Sequence, residues 1–153
     1  MARHRYNKAT DELTLADGSV YHCTNRVRNL ENGKRRRDEV ARTIPDGLPY
    51  SPQSFPRGLW SILGIEWRKN TNFDRGIYGD VKIRTNAYQQ VEIWSLDHDG
   101  DYYKPTGQRV RDTGYLLHES PRSSTTLGCI RLPDRKGLEI AAKMTVGDEL
   151  EVV

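Results

Sequence analysis

Apolar and polar positions alternate in short runs along most of this chain, and Gly, Pro, Asn and Asp separate the runs. ELTLADGSVYHCTNRV (12–27) alternates on both sides of Asp17-Gly18, which predicts a β-hairpin. NLENGKRRRDEVART (29–43) carries Asn-Gly and dense charge and reads as a loop or short exposed element. IPDGLPYSPQSFPRG (44–58) holds four prolines, so it is neither a helix interior nor a central strand. LWSILGIEW (59–67) predicts a strand interrupted at Gly64, and DVKIRT (80–85) and QQVEIWSL (89–96) are β-rich. DHDGD (97–101) is a turn that DYYKP leaves. TGYLLH (113–118) is a short apolar strand ending at His118, ESPRSSTTLG a loop, and CIRL (129–132) extended chain again. PDRKGLEIAAKM (133–144) predicts one short helix, with Asp134 as N-cap and Leu138, Ala141, Ala142 and Thr145 at helical spacing. Val146-Gly147-Asp148 stops it and ELEVV closes the chain as a strand. The pattern is that of a mainly β single domain over residues 1–153 with one short C-terminal helix.

Composition narrows the classes. At 153 residues the chain suits one domain and buries a core without needing disulfides or metals. No apolar run approaches the roughly 18 residues of a membrane span. MARHRYNKATDE has no apolar stretch of the kind a secretory leader needs. The expectation is therefore a protein that stays inside, has lost a leader, or is exported by another route. A net charge of +3 gives mild attraction to anions and argues against a dedicated nucleic-acid binder. Lys34–Arg37 is flanked by Glu31, Asp38 and Glu39 and reads as a solvated loop. Cys23 and Cys129 stand in no metal-type spacing, so neither a structural zinc nor any other cofactor is implied. In an oxidising compartment they are able to bridge, which would silence Cys129. Asp97, Asp99 and Asp101 alternate as in a calcium loop, but Tyr102 and Gln108 stand where its glycine and glutamate belong, so a hairpin turn is the reading. His22 and Cys23 are adjacent in a strand and point to opposite faces. Tyr102 and Tyr115 are noted as cleft residues.

The chemistry concentrates in LLHESPRSSTTLGCIRL (116–132). A thiol attacks as thiolate, and an imidazole is suited to take its proton near neutral pH. If TGYLLH and CIRL are neighbouring strands, His118 and Cys129 meet at their ends. Gly128, lacking a Cβ, would admit a substrate and let N–H groups converge as an oxyanion hole. The competing reading is a buried structural cysteine beside a hydrogen-bonded strand-end histidine, and spacing alone leaves both open.

The run from His118 to GCIRL resembles the signature of the L,D-transpeptidase catalytic domain, the YkuD-like fold: an upstream histidine, a loop, then Ser/Thr-His-Gly-Cys followed by apolar-Arg-apolar. The early hairpin, the proline-glycine passage into a strand, and the helix and final strand after the cysteine resemble that layout too. The resemblance implies a β-sandwich or barrel-like domain, monomeric and free of cofactors, acting on peptidoglycan stem peptides in the periplasm or cell wall. Cys129 would attack the carbonyl between diaminopimelate and D-Ala, with His118 as base and Gly128 and Cys129 lending oxyanion N–H groups. Thr126 matches the family's Ser/Thr, Arg131 its arginine, and Tyr115 borders the motif. Water would make the enzyme an L,D-carboxypeptidase, and an amine a transpeptidase. Leu127 replaces the family's second histidine, and Glu119 stands where glycine often follows the first. The short loop is similar to that of secreted interbacterial toxins and small phage-associated relatives, which would reach the wall without a leader. Other readings are an endopeptidase or lysis enzyme, a catalytically silent wall-binding domain, and a small nucleic-acid binder using Lys34–Arg37.

Overall fold

In the computed structural model, residues 1–27, 35–36, 50, 53–67, 79–119 and 128–153 are described. Strands β1 (Arg3–Asn7), β2 (Glu12–Thr14) and β3 (Val20–His22) open the chain, followed by β4 (Arg35–Arg36) and β5 (Gly58–Trp67). Next come β6 (Val81–Thr85), β7 (Gln89–Leu96), β8 (Tyr102–Asp112), β9 (Leu116–Glu119) and β10 (Ile130–Leu132). Helix α1 (Gly137–Ala142) and β11 (Glu149–Val152) finish it.

Eight strands form one sheet in the order β10-β9-β6-β5-β11-β1-β2-β3. Its two edges are joined by an antiparallel bridge between Thr24, just past β3, and Arg131 in β10. The sheet is thus nearly closed into a barrel, which shields the edges that an open sheet would expose. The interior holds Tyr6, Leu13, Phe55, Ile62, Ile83, Tyr115, Leu117, Ile130 and Leu150 among others, with Ile140, Ala141 and Met144 of the helical segment closing one side. A second sheet, β4-β8-β7, has a small core of Tyr50 and Val91.

The β2–β3 hairpin turns at Asp17-Gly18 as the sequence predicts, with Gly18 at φ +88° and Thr14 opposite Val20. Cys23 is buried in the core while His22 is exposed, in keeping with strand alternation. β5 runs unbroken through Gly64, and the glycine marks a register shift rather than an interruption. The Asp97–Asp101 stretch is the β7–β8 turn, where Asp97 Oδ1 accepts the Asp101 N–H at 3.1 Å.

Three elements depart from the sequence reading. β1 was not anticipated, because its inward positions are His4 and Tyr6 rather than aliphatic residues. β8 continues well past DYYKP, held against β7 despite Pro105 and Gly107 by a bulge between Glu92 and Trp94. The helix begins at Gly137, not after Asp134, because Arg135 takes a left-handed φ of +63° and its N–H goes to the Glu119 carboxylate at 2.6 Å. The predicted exposed segment 29–43 lies outside the described residues except for Arg35–Arg36, which pair with β8.

A buried polar knot ties the chain ends. His4 Nε2–H donates to Asp148 Oδ2 at 2.8 Å, while His4 Nδ1 accepts the Ala16 N–H at 3.1 Å. Asp148 also accepts the Thr145 and Ala2 N–H groups. Burial alone would push the Asp148 carboxyl up, but these hydrogen bonds outweigh it and hold it below the usual carboxylate range. A depressed folded-state pKa adds stability above the unfolded value of about 3.9, and that stability is lost as pH falls through and below it. Asp148→Asn sets an amide N–H group against existing donors, so we expect a loss of about 2 kcal/mol. That corresponds to a fall of roughly 4–8 °C in Tm at neutral pH. Calorimetry should also show a smaller drop of Tm between about pH 5 and pH 3 in the variant than in the wild type.

Candidate active site

β9 and β10 are neighbours and run parallel, with Arg131 opposite His118 and Ile130 opposite Leu117. Ile130, Leu117 and Leu132 fill the barrel core. Residues paired across a sheet share a face, so His118 and Arg131 lie on the face away from that core. Extended one residue before β10, the same alternation would carry that face to Cys129. A strand spacing of about 4.8 Å and a two-residue offset of about 6.6 Å put the Cα atoms of His118 and Cys129 about 8 Å apart. Both residues are 7% exposed.

The His118 ring is oriented by its own strand. Its Nδ1–H donates to the Glu119 carbonyl at 2.5 Å, which assigns the basic lone pair to Nε2. Glu119 is fully buried, and its carboxylate accepts the N–H groups of Arg135 (2.6 Å) and Asp80 (3.4 Å). The end of β9 is thus pinned to the turn that follows β10. A Cβ at 137 would collide with the Glu119 carboxylate and force it to shift. The residue that departs from the family pattern therefore has a use in this chain.

Gly128 sits at φ +132°, a conformation that favours glycine. A Cβ there would lie 2.8 Å from both the Gln53 carbonyl oxygen and the Tyr115 ring. Tyr115 is fully buried, edge-on to Phe55, and its hydroxyl accepts the Gln89 amide at 2.8 Å. It is a wall behind Gly128 rather than a solvent-lined cleft residue. Tyr102 belongs to the β4-β8-β7 sheet. Thr126 and Leu127 lie outside the described residues.

Asn25 was not singled out by sequence. Its Nδ2 donates to the carbonyls of both Gly128 and Cys129 at 2.9 Å, and its Oδ1 accepts the Phe55 N–H at 2.8 Å. Lys8 secures the same loop through Ser54 Oγ and the Phe55 carbonyl, both at 2.7 Å. No periodicity marks Asn25. In the sequence Glu119 shows as an acidic residue closing the apolar run LLHE and as the departure from the glycine that often follows the first histidine.

Cys23 and Cys129 are not joined in a disulfide. Cys23 is pushed up to about 12, by burial first and by the nearby Asp11 second, which leaves it protonated and inert at neutral pH. Burial also pulls the Arg131 guanidinium down from its usual value. Among the described residues no group of three or more His, Cys, Asp or Glu side chains is placed to hold a metal, and no helix is long and apolar enough to cross a membrane.

A nearly closed β-barrel has a histidine on one strand and a cysteine just before the parallel strand beside it. The chain matches the YkuD family, the L,D-transpeptidase catalytic domain, over residues 24–153, and belongs to that family. Among solved structures it is similar to Mycobacterium tuberculosis L,D-transpeptidase 1, with 15% identity and a TM-score of 0.49 over 99% of this chain and 58% of that one. It is also similar to the L,D-transpeptidase of Xylanimonas cellulosilytica, with 12% identity and a TM-score of 0.49 over 99% of this chain and 59% of that one. The chain therefore spans less than two thirds of the length of either solved chain. No curated protein matches it.

Proposed function

We propose that residues 1–153 form one catalytic domain that cleaves the diaminopimelate–D-Ala bond of peptidoglycan stem peptides through an acyl-enzyme on Cys129. The observation that carries this reading is the His118 imidazole, held by the Glu119 carbonyl on the strand beside Cys129 in a chain of the L,D-transpeptidase family. His118 Nε2 takes the thiol proton. The thiolate adds to the carbonyl carbon, and the developing oxyanion is met by backbone N–H groups at Gly128 and Cys129. The C–N bond then breaks, His118 returns the proton to the leaving amine of D-Ala, and a thioester remains. Water releases the acyl group as a carboxylate, or an amine of a second stem forms a crosslink. Arg131, on the same face, suits a substrate carboxylate, since a guanidinium binds one through two parallel hydrogen bonds. Thr126 and Tyr115 border the site in sequence and in packing respectively. In this reading the enzyme works without a cofactor, as a monomer, in the periplasm or cell wall.

The test is mass spectrometry of purified tetrapeptide- and pentapeptide-stem muropeptides incubated with the protein, beside Cys129→Ala. Loss of one D-Ala, absent in the variant, is the expected carboxypeptidase result. A dimer or an exchanged D-amino acid is the transpeptidase result. Cleavage within a crosslink would replace this reading with an endopeptidase. Unchanged muropeptides with a folded, reduced protein would replace it with a wall-binding domain.

A further inference from the structure

The hydrogen bonds around Asn25 define the direction of one peptide group. Arg131 exchanges both its N–H and its C=O with Thr24, at 2.8 and 3.0 Å. In extended chain the groups of residue 129 face the same side as those of residue 131, and those of residues 128 and 130 face the other. The Cys129 carbonyl obeys this and faces Asn25. The Gly128 carbonyl does not: it too faces Asn25, and both oxygens are bound by Nδ2 at 2.9 Å. The Gly128–Cys129 peptide is therefore turned over relative to the strand that follows it. The positive φ of Gly128 accompanies that turn. C=O and N–H of a trans peptide point in opposite directions, so the Cys129 N–H points away from Asn25, toward the β9 side where His118 stands. The assignment of Asn25 oxygen and nitrogen is settled by Phe55, whose backbone N–H needs an acceptor and finds Oδ1 at 2.8 Å.

We propose that Asn25 is a positioning residue which holds the Gly128–Cys129 peptide turned over, and so aims the Cys129 N–H at the oxyanion of the reacting carbonyl. The inference rests on Cys129 being the nucleophile. Asn25 is 7% exposed and touches no reacting atom; it acts through the peptide. Without its amide, the Gly128 carbonyl loses its donor and the peptide relaxes toward the regular strand, which carries the N–H to the wrong side. The cost falls only on reactions that build an oxyanion.

Two small reagents separate these cases without any muropeptide. With p-nitrophenyl acetate the Cys129 thiolate adds to a carbonyl, an oxyanion develops, and nitrophenolate leaves a thioester. With iodoacetamide the same thiolate displaces iodide at a saturated carbon, and no oxyanion forms. Both single-turnover rates are read on the high-pH plateau of their profiles, so a changed thiol titration drops out. Asn25→Asp keeps the size and the acceptor for Phe55 but replaces the donor by an oxygen that repels both carbonyls; Asn25→Leu fills the volume, adds no charge and loses all three bonds. Asp148→Asn is a destabilised control remote in sequence from the peptide. We expect acylation to slow about 10²-fold in the Asn25 variants, the scale of one lost oxyanion donor, with alkylation within about threefold of wild type. The control keeps the wild-type ratio of the two rates. Rates that fall together in the Asn25 variants, or that do not change, overturn the role of Asn25 and leave the nucleophile standing. A wild-type Cys129 inert to both reagents overturns the nucleophile and this inference with it.

Discussion

Exchanging His118 for alanine should slow D-Ala release from tetrapeptide stems by about 10⁴-fold or more, the scale seen when the base of a nucleophile–base pair is removed. The imidazole is not a surface group that solvent can replace. It is 7% exposed, and the Glu119 carbonyl fixes its ring at 2.5 Å from Nδ1. A base held in one tautomer has paid its ordering entropy before substrate arrives. Alanine removes the acceptor for the thiol proton, and water does not enter in the right place. Imidazole added to His118→Ala should restore part of the rate, whereas added to Cys129→Ala it should restore none. Turnover within tenfold of wild type in His118→Ala would remove the histidine from the mechanism.

The second large effect is at Gly128. Gly128→Ala forces an L side chain to φ +132° and drives a methyl group to 2.8 Å from the Gln53 carbonyl and from the Tyr115 ring. Neither neighbour yields easily. Gln53 presents backbone, and Tyr115 is fully buried with its hydroxyl accepting from Gln89. Backbone strain and overpacking each cost about 1–3 kcal/mol, so a loss of about 3 kcal/mol is expected. In a chain of this size that lowers Tm by roughly 6–12 °C, and the displaced Cys129 should lose turnover with it. Gly18→Ala is the matched control. Its φ is +88°, but a Cβ there meets nothing within 4 Å, so it carries the backbone strain without the collision. Equal losses at the two positions would show that the packing behind Cys129 is looser than the contacts imply.

Most strands were legible because their buried faces are aliphatic and alternate. The β2–β3 hairpin, β5, β6, β7 and the closing β11 could be read along the chain with turn residues in place. β1 could not. Its inward residues are His4 and Tyr6; Tyr6 finds its acceptor nearby at Asp11, but the His4 acceptor, Asp148, is brought there only by folding. The helix start was misread for a similar reason. Asp134 has the chemistry of an N-cap, but the Glu119 carboxylate captures the Arg135 N–H and the helix waits until Gly137.

The sequence by itself determined the mainly β class, the hairpin periods and the pairing of a histidine with a Gly-Cys-Ile-Arg run, since each depends on residue type over short separations. Tertiary structure alone decided what surrounds those residues. Asn25 reaches Gly128 across 103 positions, Glu119 reaches Arg135 across 16, and the Thr24–Arg131 bridge closes the barrel between its two edges. A hydrogen bond has no signature along the chain when its partners lie far apart in sequence. Its existence depends on where the whole sheet sets two backbones, and so the geometry around Cys129 belongs to the fold.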